Sequence, residues 1–239
     1  MRYLLPVLLF FATLLSADDG PRSVTTTLTD VKTNSAVARG VHLPVGVSGI
    51  VVHHYDQTHA AIVSSAFVTG DDPKGTTLKL VPYRGLRQPN LPTIKTPPSD
   101  GDTVILGYLY DRVAPIVPNE KSFETARRRF GNLTLIHPDL IAAELAKDKT
   151  PIPDKAHLQR ACEKFSLGLV MFMFSDGTDF IDCISWKRVA RSDVASVDPK
   201  QFKQPFYNRF EEIPSPFYSW GEHKIADFDR FYKKMESQR

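Results

Sequence analysis

The sequence predicts an α+β fold, in which a small N-terminal β-barrel or sandwich-like module is followed by helices packed on a hairpin-containing sheet and by a C-terminal helix. Two observations predict it. Residues 24–113 are rich in β-branched residues separated by Gly and Pro turns, whereas residues after 113 combine helix-capping residues with apolar runs. This change predicts a β-rich module over 18–113 and an α/β module with a helical tail over 114–239.

Composition excludes several classes of protein. Of the 239 residues, 42% are hydrophobic and 24% are charged, which is enough apolar content for packed domains and unlike a disordered chain. The 30 basic and 27 acidic residues leave a formal net charge of +3, so we expect no broad cationic surface and no nucleic-acid partner.

The first 17 residues are typical of a secretory signal peptide. Arg2 precedes an uncharged, largely apolar run over residues 4–15, and the small residues Ser16 and Ala17 follow before a polar segment begins at Asp18. A buried N-terminal helix is the alternative. We therefore expect export to the periplasm, the outer membrane surface or the extracellular space. No later run reaches 18 apolar residues, so no membrane span is expected in the mature chain.

Four segments of the first module are typical of strands. They are rich in β-branched residues, and turn-forming residues such as those at 70–73 separate them. Five or so short strands joined by such loops favour a small barrel or an open sandwich. The predicted strands cover residues 45–53, 60–68, 76–83 and 103–110.

Helix signals begin after residue 113. Ser122 is predicted to cap a helix over 123–130, because a hydroxyl can accept a hydrogen bond from a free N–H group of the first turn. Pro138 suits the first position of a second helix, and Asp154 is predicted to begin a third.

A hairpin and a terminal helix complete the second module. Asp176 and Gly177 lie between apolar runs at 167–174 and 179–189, which predicts a β-hairpin with these two residues in its turn. Apolar residues at helical spacing then predict a C-terminal helix docked on the fold, with a protruding partner-binding helix as the alternative. These residues are Ile225, Phe228, Phe231, Tyr232 and Met235.

In an exported chain, two cysteines can form a disulfide bond. Cys162 lies in a helix-like segment and Cys183 in a strand-like one. A disulfide between them would close a loop of about 22 residues and stabilise the fold by ~3 kcal/mol. Two buried free thiols are the alternative, and a two-cysteine metal site is disfavoured because neither cysteine has a second ligand at metal-binding spacing.

The sequence predicts neither an enzyme nor a cofactor. His54, Asp56 and His59 are the one set that suits a metal ion, but a polar turn after a strand needs such residues for ordinary turn chemistry, so no metal site is predicted. Ser64 and Ser65 lack the glycines of a nucleophile elbow. An exported metal-dependent enzyme stays a distant alternative.

Several separated segments resemble one known family. They are Pro-Asn-Glu-Lys-Ser-Phe at 118–123, Ala-Arg-Arg-Arg-Phe at 126–130, Ile-His-Pro-Asp-Leu-Ile-Ala-Ala-Glu-Leu-Ala at 136–146, Lys-Phe-Ser-Leu-Gly-Leu-Val at 164–170 and the strand at 45–53. Together they resemble the N-terminal domain family of bacterial plasminogen-binding proteins of the A and B type. The resemblance implies an exported envelope protein and, as a partner, host plasminogen with its kringle domains.

Two functions follow as expectations. The first is a non-enzymatic binding module of the cell envelope that recruits plasminogen through exposed lysines. The alternative is a structural or assembly factor of the envelope that docks another bacterial component without binding plasminogen.

A kringle contact would lie on the predicted C-terminal helix. Kringles grip a lysine ammonium between acidic and aromatic side chains, and a C-terminal lysine is the best such ligand. The sequence ends in Arg239, so an internal cation-carboxylate pair is expected to replace it. Asp229, Lys233 and Glu236 share one helical face, with Lys234 beside them. The alternative is that these charges only solvate the outer face of a docked helix.

Overall fold

A computed structural model describes residues 20–83, 85, 95–215 and 224–238. The predicted signal peptide at 1–17 and its cleavage site lie outside the described residues. The described part of the chain has the α+β architecture that the sequence predicts.

The N-terminal module is a closed β-barrel with the strand order β1-β2-β5-β4-β3-β6. All its pairings are antiparallel, and inward-facing apolar side chains such as Leu28, Val51 and Leu106 fill the interior. The predicted barrel is confirmed. Its strands are Val24–Thr29 (β1), Ser35–Arg39 (β2), Ser48–His54 (β3), Ala60–Asp72 (β4), Gly75–Val81 (β5) and Thr103–Leu106 (β6).

A glycine allows two barrel strands to approach closely. Gly49 of β3 faces β6, and a Cβ added there would lie 2.3 Å from the carbonyl oxygen of Ile105. No side chain fits in that space without moving backbone, so Gly49 is required where the barrel closes.

The second module contains a five-stranded sheet in the order β11-β10-β9-β7-β8. β7 runs parallel to both β8 and β9, and the other pairs are antiparallel. The central strand β9 is buried along its whole length, which explains its unbroken apolar sequence. The strands are Arg112–Ile116 (β7), Thr134–Leu135 (β8), Leu169–Phe174 (β9), Gly177–Asp182 (β10) and Arg188–Ser192 (β11).

Among the described residues, three helices cover one face of this sheet, and the barrel together with the first helix covers the other. The first helix packs on the barrel side through Phe123 and Phe130, whereas the other three pack on the opposite side. The sheet is therefore the middle layer, and the barrel shares one apolar core with it. The helices are Glu120–Arg129 (α1), Pro138–Lys147 (α2), Lys155–Phe165 (α3) and Phe228–Glu236 (α4).

The helix starts agree with two of three predictions. Pro138 begins α2, and Asp154 caps α3 through a capping box with His157. The prediction that Ser122 caps the first helix is wrong. Asn119 is the cap, because its side chain accepts a hydrogen bond from the Ser122 N–H group at 3.0 Å.

The predicted hairpin is present, but its turn is shifted by one residue. Gly177, with a φ of +139°, begins β10 and pairs with Phe174, so Ser175 and Asp176 form the turn. The apolar run at 179–189 is also not one strand, since it divides between β10 and β11.

A buried aspartate joins the two modules. Asp182 of β10 accepts hydrogen bonds from the backbone N–H and hydroxyl of Ser48 on β3, at 3.1 and 2.5 Å, and from the Tyr110 hydroxyl at 2.8 Å. Burial, and the adjacent Asp182, raise the pKa of Tyr110 well above its ordinary value, so Tyr110 stays a neutral donor. The N–H groups of Ile184 and Ser185 bind the other oxygen of Asp182. The carboxyl group is thus fully satisfied without a cation.

The predicted disulfide is confirmed. Cys162 of α3 is bonded to Cys183, which directly follows β10, with their Cα atoms 6.0 Å apart. The bond ties α3 to the strand whose last residue, Asp182, contacts the barrel.

Candidate functional site

The C-terminal helix α4 docks on the second sheet through its apolar face. Phe228, Tyr232 and Met235 are buried there, as the helical spacing predicts. The Tyr232 hydroxyl donates to the carbonyl oxygen of Pro205 at 2.9 Å, and the Trp186 indole N–H donates to the carbonyl oxygen of Met235 at 3.1 Å. These bonds tie the helix to the segment at Pro205 and to the turn that follows β10, and the helix also contacts β9.

Two of the four predicted contact residues bind the turn of the β9–β10 hairpin. The Lys233 ammonium lies 2.8 Å from the Asp176 carboxylate and 5.1 Å from the centre of the Phe174 ring. The Asp229 carboxylate accepts hydrogen bonds from the N–H and hydroxyl of Ser175 at 3.0 and 2.5 Å. Lys233 is therefore paired with Asp176, and Asp229 is bound by the neutral Ser175.

The other two predicted residues lie in different surroundings. Lys234 is exposed, and in the described part of the chain no hydrogen bond or ion pair engages its ammonium group. Glu236, at the end of α4, is only 14% exposed and lies 3.6 Å from the Arg188 guanidinium. The four residues thus share one helix but not one environment, because Lys234 is exposed, Lys233 is 41% exposed and Glu236 is only 14% exposed.

The inner side of α4 borders an open cleft of about 660 Å³. Three basic and three acidic side chains line it, so its formal charges balance. Hydrogen bonding to Lys233 is the largest cause that lowers the pKa of Asp176. In contrast, burial and the nearby Asp179 carboxylate raise the pKa of Glu236 to about 7. The lining residues are Asp176, Asp179, Arg188, Arg191, Lys233, Glu236 and Ser237.

Comparison with known proteins shows the family. The family model described as plasminogen-binding protein pgbA N-terminal matches residues 23–235 of this chain. The chain belongs to this family. The family membership predicted from the separated sequence segments is thus confirmed.

Two curated relatives within the plasminogen-binding family are similar to this chain. Both are named plasminogen-binding protein PgbA, one from Helicobacter pylori strain J99 / ATCC 700824 and one from strain ATCC 700392 / 26695. Each is 24% identical over 201 residues, which cover 80% of this chain and 43% of the relative. The chain therefore spans less than half the length of these relatives.

The histidine-rich turn of this plasminogen-binding family member forms local polar contacts. His53 lies 2.7 Å from the buried Asp102, and His59 lies 2.8 Å from Asp56. Hydrogen bonds from Thr58 and His59 lower the pKa of Asp56 to about 2. In the described residues, no three His, Cys, Asp or Glu side chains come together as a metal-binding group, and this includes the trio of His54, Asp56 and His59.

Sequence reasoning missed the partners of the helix. From the sequence, Asp176 is predicted only as a turn residue, and Asp179, Arg188 and Arg191 have no predicted role. One signal is present in the sequence: Asp179 lies within a segment predicted as a strand, and a charged side chain requires a partner when it is buried. A separate observation concerns membranes: none of the helices in the described ranges is long and apolar enough to cross a bilayer.

Proposed function

We propose that this chain is an exported, non-enzymatic binding protein of the cell envelope that recruits plasminogen. Its membership in the plasminogen-binding family supports the partner, and the N-terminal sequence supports the export. The observation that carries the contact site is the pair of neighbouring lysines on α4, where Lys234 is exposed and Lys233 is 41% exposed.

The two lysines suit a kringle for different reasons. The Lys234 ammonium has no partner of its own among the described residues, so a kringle carboxylate can bind it without breaking an ion pair. Lys233 sits beside Asp176, and together they present a cation and a carboxylate at 2.8 Å. Asp229 and Glu236, which were also expected to contribute a carboxylate, are engaged with Ser175 and Arg188. Asp176 also binds Arg191, but it is 53% exposed and is therefore the more accessible candidate for the anionic half of an internal lysine mimic.

The test is the binding of immobilised plasminogen by the parent protein and by the Lys233→Ala, Lys234→Ala double variant. We expect the parent to be displaced by a lysine analogue and the variant to bind at least about tenfold more weakly. Hydrogen bonds to charged groups contribute about 1.5–3 kcal/mol each, which exceeds the ~1.4 kcal/mol of a tenfold change. The melting temperature should change by no more than about 3 °C, since exposed ion pairs add little stability.

A second pair of exposed lysines provides the matched control. Lys147 and Lys149 lie at the end of α2 and do not line the cleft beside α4, and the Lys147→Ala, Lys149→Ala variant removes the same charge. This control should bind as the parent does. Equal binding by both variants would reject the α4 site. No binding by the parent would reject plasminogen recruitment and favour the envelope assembly alternative.

Export has its own test. Mass spectrometry of the protein from its source cell should find a mature N-terminus near Asp18, because Ser16 and Ala17 suit a signal-peptidase cleavage site. Retention of Met1 in the mature protein would contradict the proposed export.

A further inference from the structure

The last turn of α4 lies against a buried carboxyl group of the second sheet. Asp179, in the middle of β10, has a side chain only 2% exposed. Glu236 of α4 lines the same cleft, and both carboxyl groups lie against the same guanidinium nitrogen of Arg188, so the two acids are close neighbours. Two largely buried carboxyl groups at such close range repel each other when both are ionised, which favours a state in which one of them holds a proton.

The cations around the two acids are unequally distributed. The Arg191 guanidinium donates to both oxygens of Asp179, at 2.8 and 2.9 Å, and also contacts Asp176. Lys233 is bound to Asp176. Arg188 alone remains for Glu236, and it is shared, since it lies 3.3 Å from Asp179 and 3.6 Å from Glu236. Glu236 is therefore the acid with the weakest compensation for its charge.

We propose that Asp179 and Glu236 form a proton-dependent clasp, which holds the last turn of α4 on the sheet when the pair shares one proton and loosens it when both are ionised. The clasp concerns the helix itself and does not depend on plasminogen binding. It makes the docking of the lysine-bearing helix sensitive to pH near neutrality.

The direction of the pH dependence follows from the proton. Burial and the Asp179 charge raise the pKa of Glu236 from 4.5 to about 7, while Arg188 and Arg191 act in the opposite direction. The docked helix thus retains a proton that a solvated Glu236 has already lost. Docking is strengthened below pH 4.5, and this extra stability is lost as the pH rises to about 7.

The protein contains a reporter at the right place. The Trp186 indole is buried and donates to the carbonyl oxygen of Met235, the residue before Glu236. The chain has two tryptophans, so a Trp220→Phe background leaves Trp186 as the only one. Opening of the last turn would expose this indole and shift its emission to longer wavelength.

The experiment measures hydrogen exchange of the α4 amides and Trp186 emission at pH 5.5 and pH 8. After correction for intrinsic exchange rates, we expect amide protection in the wild-type helix to fall by at least about tenfold, since each unit of pKa shift corresponds to a factor of ten. The Glu236→Gln variant mimics the protonated acid, so its protection at pH 8 should match its value at pH 5.5.

Two results would overturn the clasp. One is protection of α4 that does not change with pH in the wild type, and the other is an equal change in Glu236→Gln. A direct measurement covers the case in which the variant does not fold. An NMR titration of the Glu236 carboxyl in the wild-type protein should give a midpoint near 7, and a midpoint below 5 would also contradict the proposal.

Discussion

Two buried aspartates of the same strand have opposite kinds of partner. Asp179 and Asp182 lie three positions apart on β10, so their side chains point to opposite faces of the second sheet. Asp182 faces the barrel and is satisfied by N–H and O–H donors. Asp179 faces α4 and is bound by two guanidinium groups, with a second carboxyl group beside it.

The difference is between a junction held by neutral hydrogen-bond donors and one held by charged side chains. The donors of Asp182 are neutral groups, and Ser48, Tyr110, Ile184 and Ser185 supply them from both modules. The contacts of Asp179 include side chains that reach solvent, since Arg191 is 35% exposed. We conclude that neutral donors bind the barrel to the sheet at Asp182, whereas on the other face charged side chains add to the apolar contacts that dock α4.

The largest expected effect is at Asp182. Replacement of Asp182 by Ala leaves five donors, three of them buried, without their acceptor, so we expect a loss of about 3–5 kcal/mol in the free energy of unfolding. Denaturant titration measures it.

Tyr110→Phe is the matched control for this junction. It removes one donor and leaves Asp182 with the other four, so about 1–2 kcal/mol should be lost. If Asp182→Ala cost no more than Tyr110→Phe, the carboxyl group would not be what locks the two modules.

The sequence predicted the elements better than their contacts. The barrel, the hairpin, α2, α3 and the disulfide depend on local patterns such as β-branched runs, a proline at a helix start and a cysteine pair. The cap at Asn119 was missed because Ser122 stands equally well before an apolar run. The separation of β10 from β11 was missed because the turn at 183–187 contains apolar residues that also suit a strand.

The candidate site was predicted only in part, because its contacts join residues that are far apart in the sequence. Helical spacing placed Asp229, Lys233 and Glu236 on one face, and this local geometry favoured pairing among them. The docked helix instead meets the hairpin turn, and Asp176 binds Lys233 across 57 positions of sequence. No local pattern indicates which strand residues a terminal helix will meet, so Asp176, Asp179, Arg188 and Arg191 required the structure.

The smaller effect concerns the charge of Asp179. If that charge is what separates the two faces of β10, then Asp179→Asn should lower the pKa of Glu236 by about one unit from its value near 7, as loss of a neighbouring carboxylate does. Burial of Glu236 would remain and would keep its pKa above the ordinary 4.5. An NMR titration of the Glu236 carboxyl measures the change. Asp198→Asn removes an equal charge from a residue that pairs with Lys121 and does not line the cleft beside Glu236, so it should leave the Glu236 titration unaltered. An equal shift in both variants would mean that overall charge, rather than the contact with Asp179, sets the pKa of Glu236.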